Sequence, residues 1–169
     1  MADKSKELYL LEYARISPCT AEENRELMKK KLSDSQAMNR LVEGNMFRVN
    51  EAASVLAKSG SLFMDLVQEG SLALFLMLSE AEEYTEEFEQ QLDQGILDAM
   101  KEFLDAEEES RKAGQELSDK LNLMDKACVL LAEKHGREAT AEEVAEALEM
   151  EVDEVRYLMR IALNAIKKE

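Results

Sequence analysis

Residues Leu62 to Leu78 read LFMDLVQEGSLALFLML, and this apolar run with one polar corner constrains the fold more than any other stretch. Helical spacing puts Asp65, Gln68 and Glu69 on one side and Leu62, Phe63, Leu66 and Val67 on the other. From Leu72 onward the run is apolar all round, which predicts a helix buried among other helices. It is too short and too interrupted to span a bilayer. The rest of the chain agrees with a helical reading: six Gly and one Pro in 169 residues, Ala, Leu, Met, Glu and Lys dominant, and no sustained β-branched alternation. The fold class is all-α, and a hydrophobic content of 46% is enough for a core.

Punctuation marks divide the chain. Residues 1–8 are polar and predicted to fray. Tyr9 to Arg15 forms a short helix that stops before Ser17-Pro18. Thr20 is the N-cap of the next helix, with Glu23 at the capping-box position. Ser33-Asp34 opens a third helix, which should close near Ser59-Gly60 with glycine as its C-cap. After Leu78 comes an acidic stretch in which Tyr84, Phe88, Leu92, Ile96, Met100 and Phe103 recur at helical spacing, with Gly95 as a candidate break. Glu107-Glu108-Glu109 and Gly114 mark a linker between about Asp105 and Gln115. Ser118 to His135 reads as a helix closed by Gly136, where His135 suits the negative end of the helix dipole. Thr140-Ala141-Glu142-Glu143 caps a short helix, Glu149-Met150 makes a turn, and Val152 to Ile166 forms the last helix. Two domains follow: a helical bundle over 1–110 and a three-helix, helix-turn-helix-like unit over 111–169.

Several strings resemble one family. DLVQEGSLAL is similar to the DLIQEGNLGL of region 2.2 in the bacterial sigma-70 transcription initiation factors. YLLEYARISPCTAEE resembles YLREIGRIPLLTAEEE of region 1.2, with Ser17, Pro18 and Cys19 departing at the turn. Leu41-Val42-Glu43-Gly44-Asn45 resembles LVEAN of region 2.1, and its spacing to Asp65 matches the family without insertion. GREATAEEVAEALEMEVDEVRYLM resembles GREPTPEEIAEELGMPEEKVREIL of region 3. The blocks stand in family order from about Tyr9 to Asn164, and no string resembles region 4, the −35 reader. The resemblance implies that Asp65, Gln68 and Glu69 dock on the β′ coiled coil of core RNA polymerase, with Ser71 standing where the family has Asn. Exposed polar identity of this kind is not needed to pack a core.

Charge separates this chain from the family pattern. Residues 79–110 hold one basic residue, Lys101, against thirteen acidic ones, and so supply −12 of the net −16. In sigma factors this region melts the promoter and reads the −10 element through the string YATWWIRQAI. Its echo here is Gln94-Gly95-Ile96-Leu97-Asp98-Ala99-Met100: Gln94 and Gly95 replace the Trp pair, and Leu97 replaces the Arg. Unstacked bases need aromatic platforms and phosphates need cations. At the start of the last helix Glu151, Asp153 and Glu154 precede Arg156 and Arg160, so acids sit at the end that would enter a groove. Tyr84, Phe88, Arg156 and Arg160 remain as the candidate nucleic-acid contacts, and impaired promoter reading is the expectation.

Other function classes find no support. One histidine, no nucleophile elbow and no phosphate loop argue against an enzyme. The carboxylates lack metal-site spacing, no cofactor motif is visible, and nothing points to a small-molecule substrate or a membrane. Cys19 and Cys128 read as reduced thiols of a cytoplasmic protein. The expected function is a sigma-like protein that binds core polymerase. The alternative is a sigma-derived acidic module that binds another regulator or mimics DNA.

Overall fold

The computed structural model describes residues 2–57 and 62–166. Among them are seven α-helices and no strand: α1 (Ala2–Tyr13), α2 (Ala21–Lys30), α3 (Ser35–Leu56), α4 (Phe63–Glu80), α5 (Glu86–His135), α6 (Ala141–Leu148) and α7 (Val152–Ile166). The all-α expectation holds. The glycine cap expected at Ser59-Gly60 lies outside the described residues, and α3 ends at Leu56, with Ala57 donating back to the Ala53 carbonyl. The chain divides into two compact units, 1–107 and 108–169.

In the first unit each helix start has a local cause. Thr20 caps α2 by accepting from the Glu23 amide at 3.1 Å, and Asp34 caps α3 by accepting from the Gln36 amide at 2.9 Å. Glu23 gives its carboxylate to Arg40 at 2.9 Å. α1 begins at Ala2, earlier than the polar sequence suggested. It is held through Tyr9, whose ring meets Tyr13 and Phe63 and whose hydroxyl donates to Asn50 at 2.9 Å. α3 and α4 form the centre of this unit. Leu41 and Val49 from α3 meet Phe63, Leu66, Leu74 and Leu78 from α4 with no exposed surface, and Leu92, Ile96 and Met100 from α5 close the cluster. Burying a side chain of this size contributes about 1.5–3 kcal/mol relative to leaving it in water.

Two sequence expectations are corrected here. α5 runs unbroken through Gly95 and through the stretch read as a linker, as one helix of 50 residues. Gly95 is helical because a small residue is what fits there: a Cβ would lie 2.4 Å from the Met77 sulfur. From Asp105 to Glu116 every residue is exposed. Helix formers and pairs such as Glu108–Arg111 at 2.8 Å keep that stretch helical, without a core beneath it. The second correction concerns α4. Its C-terminal half is not buried all round, since Leu72, Phe75 and Leu76 are 53%, 46% and 46% exposed.

In the second unit Met124 and Ala127 of α5 pack with Val144 and Ala145 of α6 and with Val155 and Leu158 of α7. Thr140 and Glu143 form a complete capping box. The turn between α6 and α7 places Glu149 in the left-handed region, with φ 55. Gly136 closes α5 with φ 67, a conformation that glycine adopts without strain.

Candidate functional site

The Asp-Leu-Val-Gln-Glu-Gly motif on α4 splits cleanly between packing and surface. Leu66, Val67 and Gly70 point inward and are buried. Gly70 marks a close approach: a Cβ there would lie 2.1 Å from the Met100 terminal methyl and 3.0 Å from Val49 Cγ1. Asp65 and Gln68 are exposed and Glu69 is half-buried on the other side of the helix. Packing explains the first three residues, and it leaves the last three free to meet a partner.

Ser71 sits differently from the other three. Its hydroxyl donates to the Val67 carbonyl of its own helix at 2.5 Å and lies 3.6 Å from the Met46 sulfur, so it is directed along the helix instead of outward. Leu72, Phe75 and Leu76 follow Gln68 at spacings of three or four and extend its face toward the end of α4. Sequence reasoning missed this apolar extension because a continuous greasy run hides which side lacks neighbours. The face therefore begins with two acids and an amide and continues as exposed hydrocarbon. Such a combination suits a partner helix that offers both polar and apolar side chains.

The candidate nucleic-acid residues are engaged within their own units. Tyr84 is 4% exposed inside the first core, with its hydroxyl 3.4 Å from Asn45 Oδ1 and within reach of Arg48 at 3.3 Å. Burial raises its pKa. Phe88 packs edge-on against Tyr84, with ring centroids 5.7 Å apart. Arg156 pairs with Glu142 at 2.6 Å and Asp153 at 3.3 Å, and Arg160 lies over the Tyr157 ring. Tyr84 is thereby closed off as a stacking platform, whereas Arg156 and Arg160 lie at the surface of their unit.

Sequence reasoning also missed Arg48, a cation whose side chain is only 10% exposed. Its guanidinium donates to Asp93 at 2.6 Å and also to Glu89. It continues through Asn45, which exchanges hydrogen bonds with Asn24 at 2.8 and 3.3 Å. Two acids of the acidic stretch are thereby spent on holding α5 against α3. Among the described residues no buried side-chain nitrogen or oxygen lacks a partner.

The two thiols are free and half-buried. Burial pushes Cys19 up to about 11, and it also raises Cys128, with Asp125 adding to the effect. Thiols raised in this way stay protonated and unreactive at neutral pH. Among the described residues no three metal-capable side chains come together, and no helix is long and apolar enough to cross a membrane.

The chain is similar to known proteins along most of its length. Residues 119–166 match sigma-70 region 3. The chain is 27% identical over 164 residues to the RNA polymerase sigma factor SigA of a Bacillus species, covering 96% of this chain and 44% of that protein. It is 27% identical over 169 residues to SigA of Clostridium acetobutylicum, covering 99% of this chain and 45% of that protein. SigA of Listeria monocytogenes is 26% identical over 165 residues, 96% of this chain and 44% of its own length. The chain thus spans less than half the length of these curated relatives.

Proposed function

We propose, starting from a chain that belongs to the sigma-70 family of RNA polymerase sigma factors, that it takes part in transcription by docking on core RNA polymerase through α4. The docking face consists of Asp65, Gln68 and Glu69, and it continues through Leu72, Phe75 and Leu76. Its partner is the coiled coil of the β′ subunit, met in the bacterial cytoplasm. Binding is its work, and no catalysis is assigned to it. One observation carries the reading. The motif keeps its polar residues on the side of α4 where packing does not require them, while its buried residues already account for the fold.

Promoter −10 recognition and melting are impaired in this reading. Gln94 is exposed and bonded to Asp98 at 2.7 Å, and Gly95 lies against Met77. No aromatic platform stands at either position, and the segment around them repels phosphate. A division into a region 2-like domain over 1–110 and a region 3-like domain over 111–169 belongs to the same proposal.

The test is a pull-down on purified core polymerase with the wild type and with a triple variant, Asp65→Ala, Gln68→Ala and Glu69→Lys. Surface changes of this kind move stability by no more than ~0.5 kcal/mol each, so the melting profile should be nearly unchanged while retention on polymerase falls. Equal retention of the triple variant would remove α4 as the docking face. Failure of the wild type to bind at all would favour the acidic module that meets some other regulator.

A further inference from the structure

We infer that Lys31 is a positioning residue for α4: reaching across from the end of α2, it closes the carboxyl end of the docking helix and holds its last exposed turn in place. The inference rests on the reading of α4 as that helix. Lys31 Nζ donates to the Leu78 carbonyl at 2.5 Å, to the Ser79 carbonyl at 2.8 Å, and also to the Ala81 carbonyl. An ammonium has three hydrogens, and here each has an acceptor.

This helix end needs such a cation. The last carbonyls of any α-helix lack partners within the helix and carry a partial negative charge of about half an electron. Ala81 satisfies one of them by donating to the Met77 carbonyl at 3.0 Å. The last turn of α4 contains no basic residue. Glu80 ends the helix and the sequence just beyond adds Glu82, Glu83, Glu86 and Glu87, so like charges crowd the negative pole. Lys31 lies 47 to 50 residues away in sequence from the carbonyls it holds, so it is a tertiary cap.

The cap bears on docking because of where it grips. Leu78 is fully buried, whereas Phe75 and Leu76 lie less than one turn before it on the exposed face. Fixing the Leu78 and Ser79 carbonyls fixes the backbone that presents those two side chains. Without the ammonium, repulsion from the neighbouring carboxylates would fray the last turn, and the apolar end of the face would lose its geometry. Asp65 and Gln68, two to three turns upstream, are held by the core and would keep theirs.

Lys31→Met and Lys31→Arg in the full chain test this, with affinity for core polymerase and amide hydrogen exchange both read well below the melting temperature. Lys31→Met should weaken binding roughly tenfold, in line with the loss of charge-assisted hydrogen bonds. It should also speed exchange at the amides of residues 75–81 while leaving α3 and the second unit protected. Lys31→Arg should restore both readings toward wild type. Unchanged exchange over residues 75–81 in the Met variant would overturn the cap. Faster exchange there with wild-type affinity would overturn its role in docking, and so would protection lost uniformly across the first unit. If the wild type itself fails to bind polymerase, the docking role falls with the reading of α4, while the exchange data still decide the cap.

Discussion

Gly70→Ala separates two physical effects that act in opposite directions at one position. In the interior of a helix, alanine is favoured over glycine by about 1 kcal/mol, so an open site would be stabilised by the change. The site is not open. The new methyl would lie 2.1 Å from Met100 Cε, 3.0 Å from Val49 Cγ1 and 3.4 Å from Ile96 Cγ2. Carbon atoms in contact prefer roughly 3.5–4.0 Å. Met100 can swing its terminal methyl, but it is fully buried, and the neighbouring Val49 is buried and stiff at χ1. Overpacking of this kind costs about 1–3 kcal/mol. The net effect should be a loss of up to ~2 kcal/mol, read by urea unfolding followed by far-ultraviolet circular dichroism. Pairing it with Met100→Ala should recover part of that loss, because the two side chains compete for the same volume. A gain of ~1 kcal/mol for Gly70→Ala alone would show propensity acting unopposed, and the close approach of α4 and α5 would then be refuted.

Three further outcomes can be measured. An electrophoretic shift at low salt should show no specific retention of a −10 non-template strand, since each absent stacking platform removes ~1–3 kcal/mol per base, and retention would restore ordinary promoter reading. Glu143 is held down at about 2 by Arg137 and then by the Thr140 amide. A lowered folded pKa adds stability above the unfolded value and loses it as pH falls toward the folded one, so the advantage of wild type over Glu143→Gln in melting temperature should be full above about pH 4.5 and vanish near pH 2; an advantage independent of pH would refute the ion pair. Glu149 is left-handed at φ 55, where a side chain costs roughly 1–2 kcal/mol and glycine costs little beyond its ~0.5–1 kcal/mol of extra chain entropy. Glu149→Gly should therefore stabilise the second unit by about 0.5–1 kcal/mol in urea unfolding, and a loss of stability would contradict the strain.

What was legible in the sequence was mostly local. Thr20, Asp34 and Thr140 announced helix starts because a cap needs only a side chain and an amide two or three residues on. The polar corner at Asp65, Gln68 and Glu69 was legible from helical spacing alone. Contacts between distant residues were not. Nothing near Lys31 in sequence reveals that its ammonium serves carbonyls at Leu78 and Ser79. Arg48 likewise looks like one more surface charge until Glu89 and Asp93 are brought beside it. Two sequence signals misled for the same reason. Glycine breaks a helix only where nothing compensates its entropy, and at Gly95 the space for Met77 does compensate. The apolar run after Leu72 suggested burial on every side, yet which side meets a neighbour depends on how many helices surround it.

The acidic stretch is built into the fold as well as charged. Glu89 and Asp93 neutralise Arg48, and Gly95 makes room on α5 for Met77 of α4. Restoring the family's Trp pair at Gln94 and Gly95 would first have to displace Met77, which packs against the core that α4 belongs to. Placing a cation at Glu89 or Asp93 would set like charge against a nearly buried guanidinium, and that costs more than a surface reversal because Arg48 has little water to turn to. The acidic character of this stretch and the packing of α5 are thus carried by the same residues. Aromatic or basic substitutions in this stretch would therefore act on the contacts that hold α5 against α3 and α4 as well as on its charge.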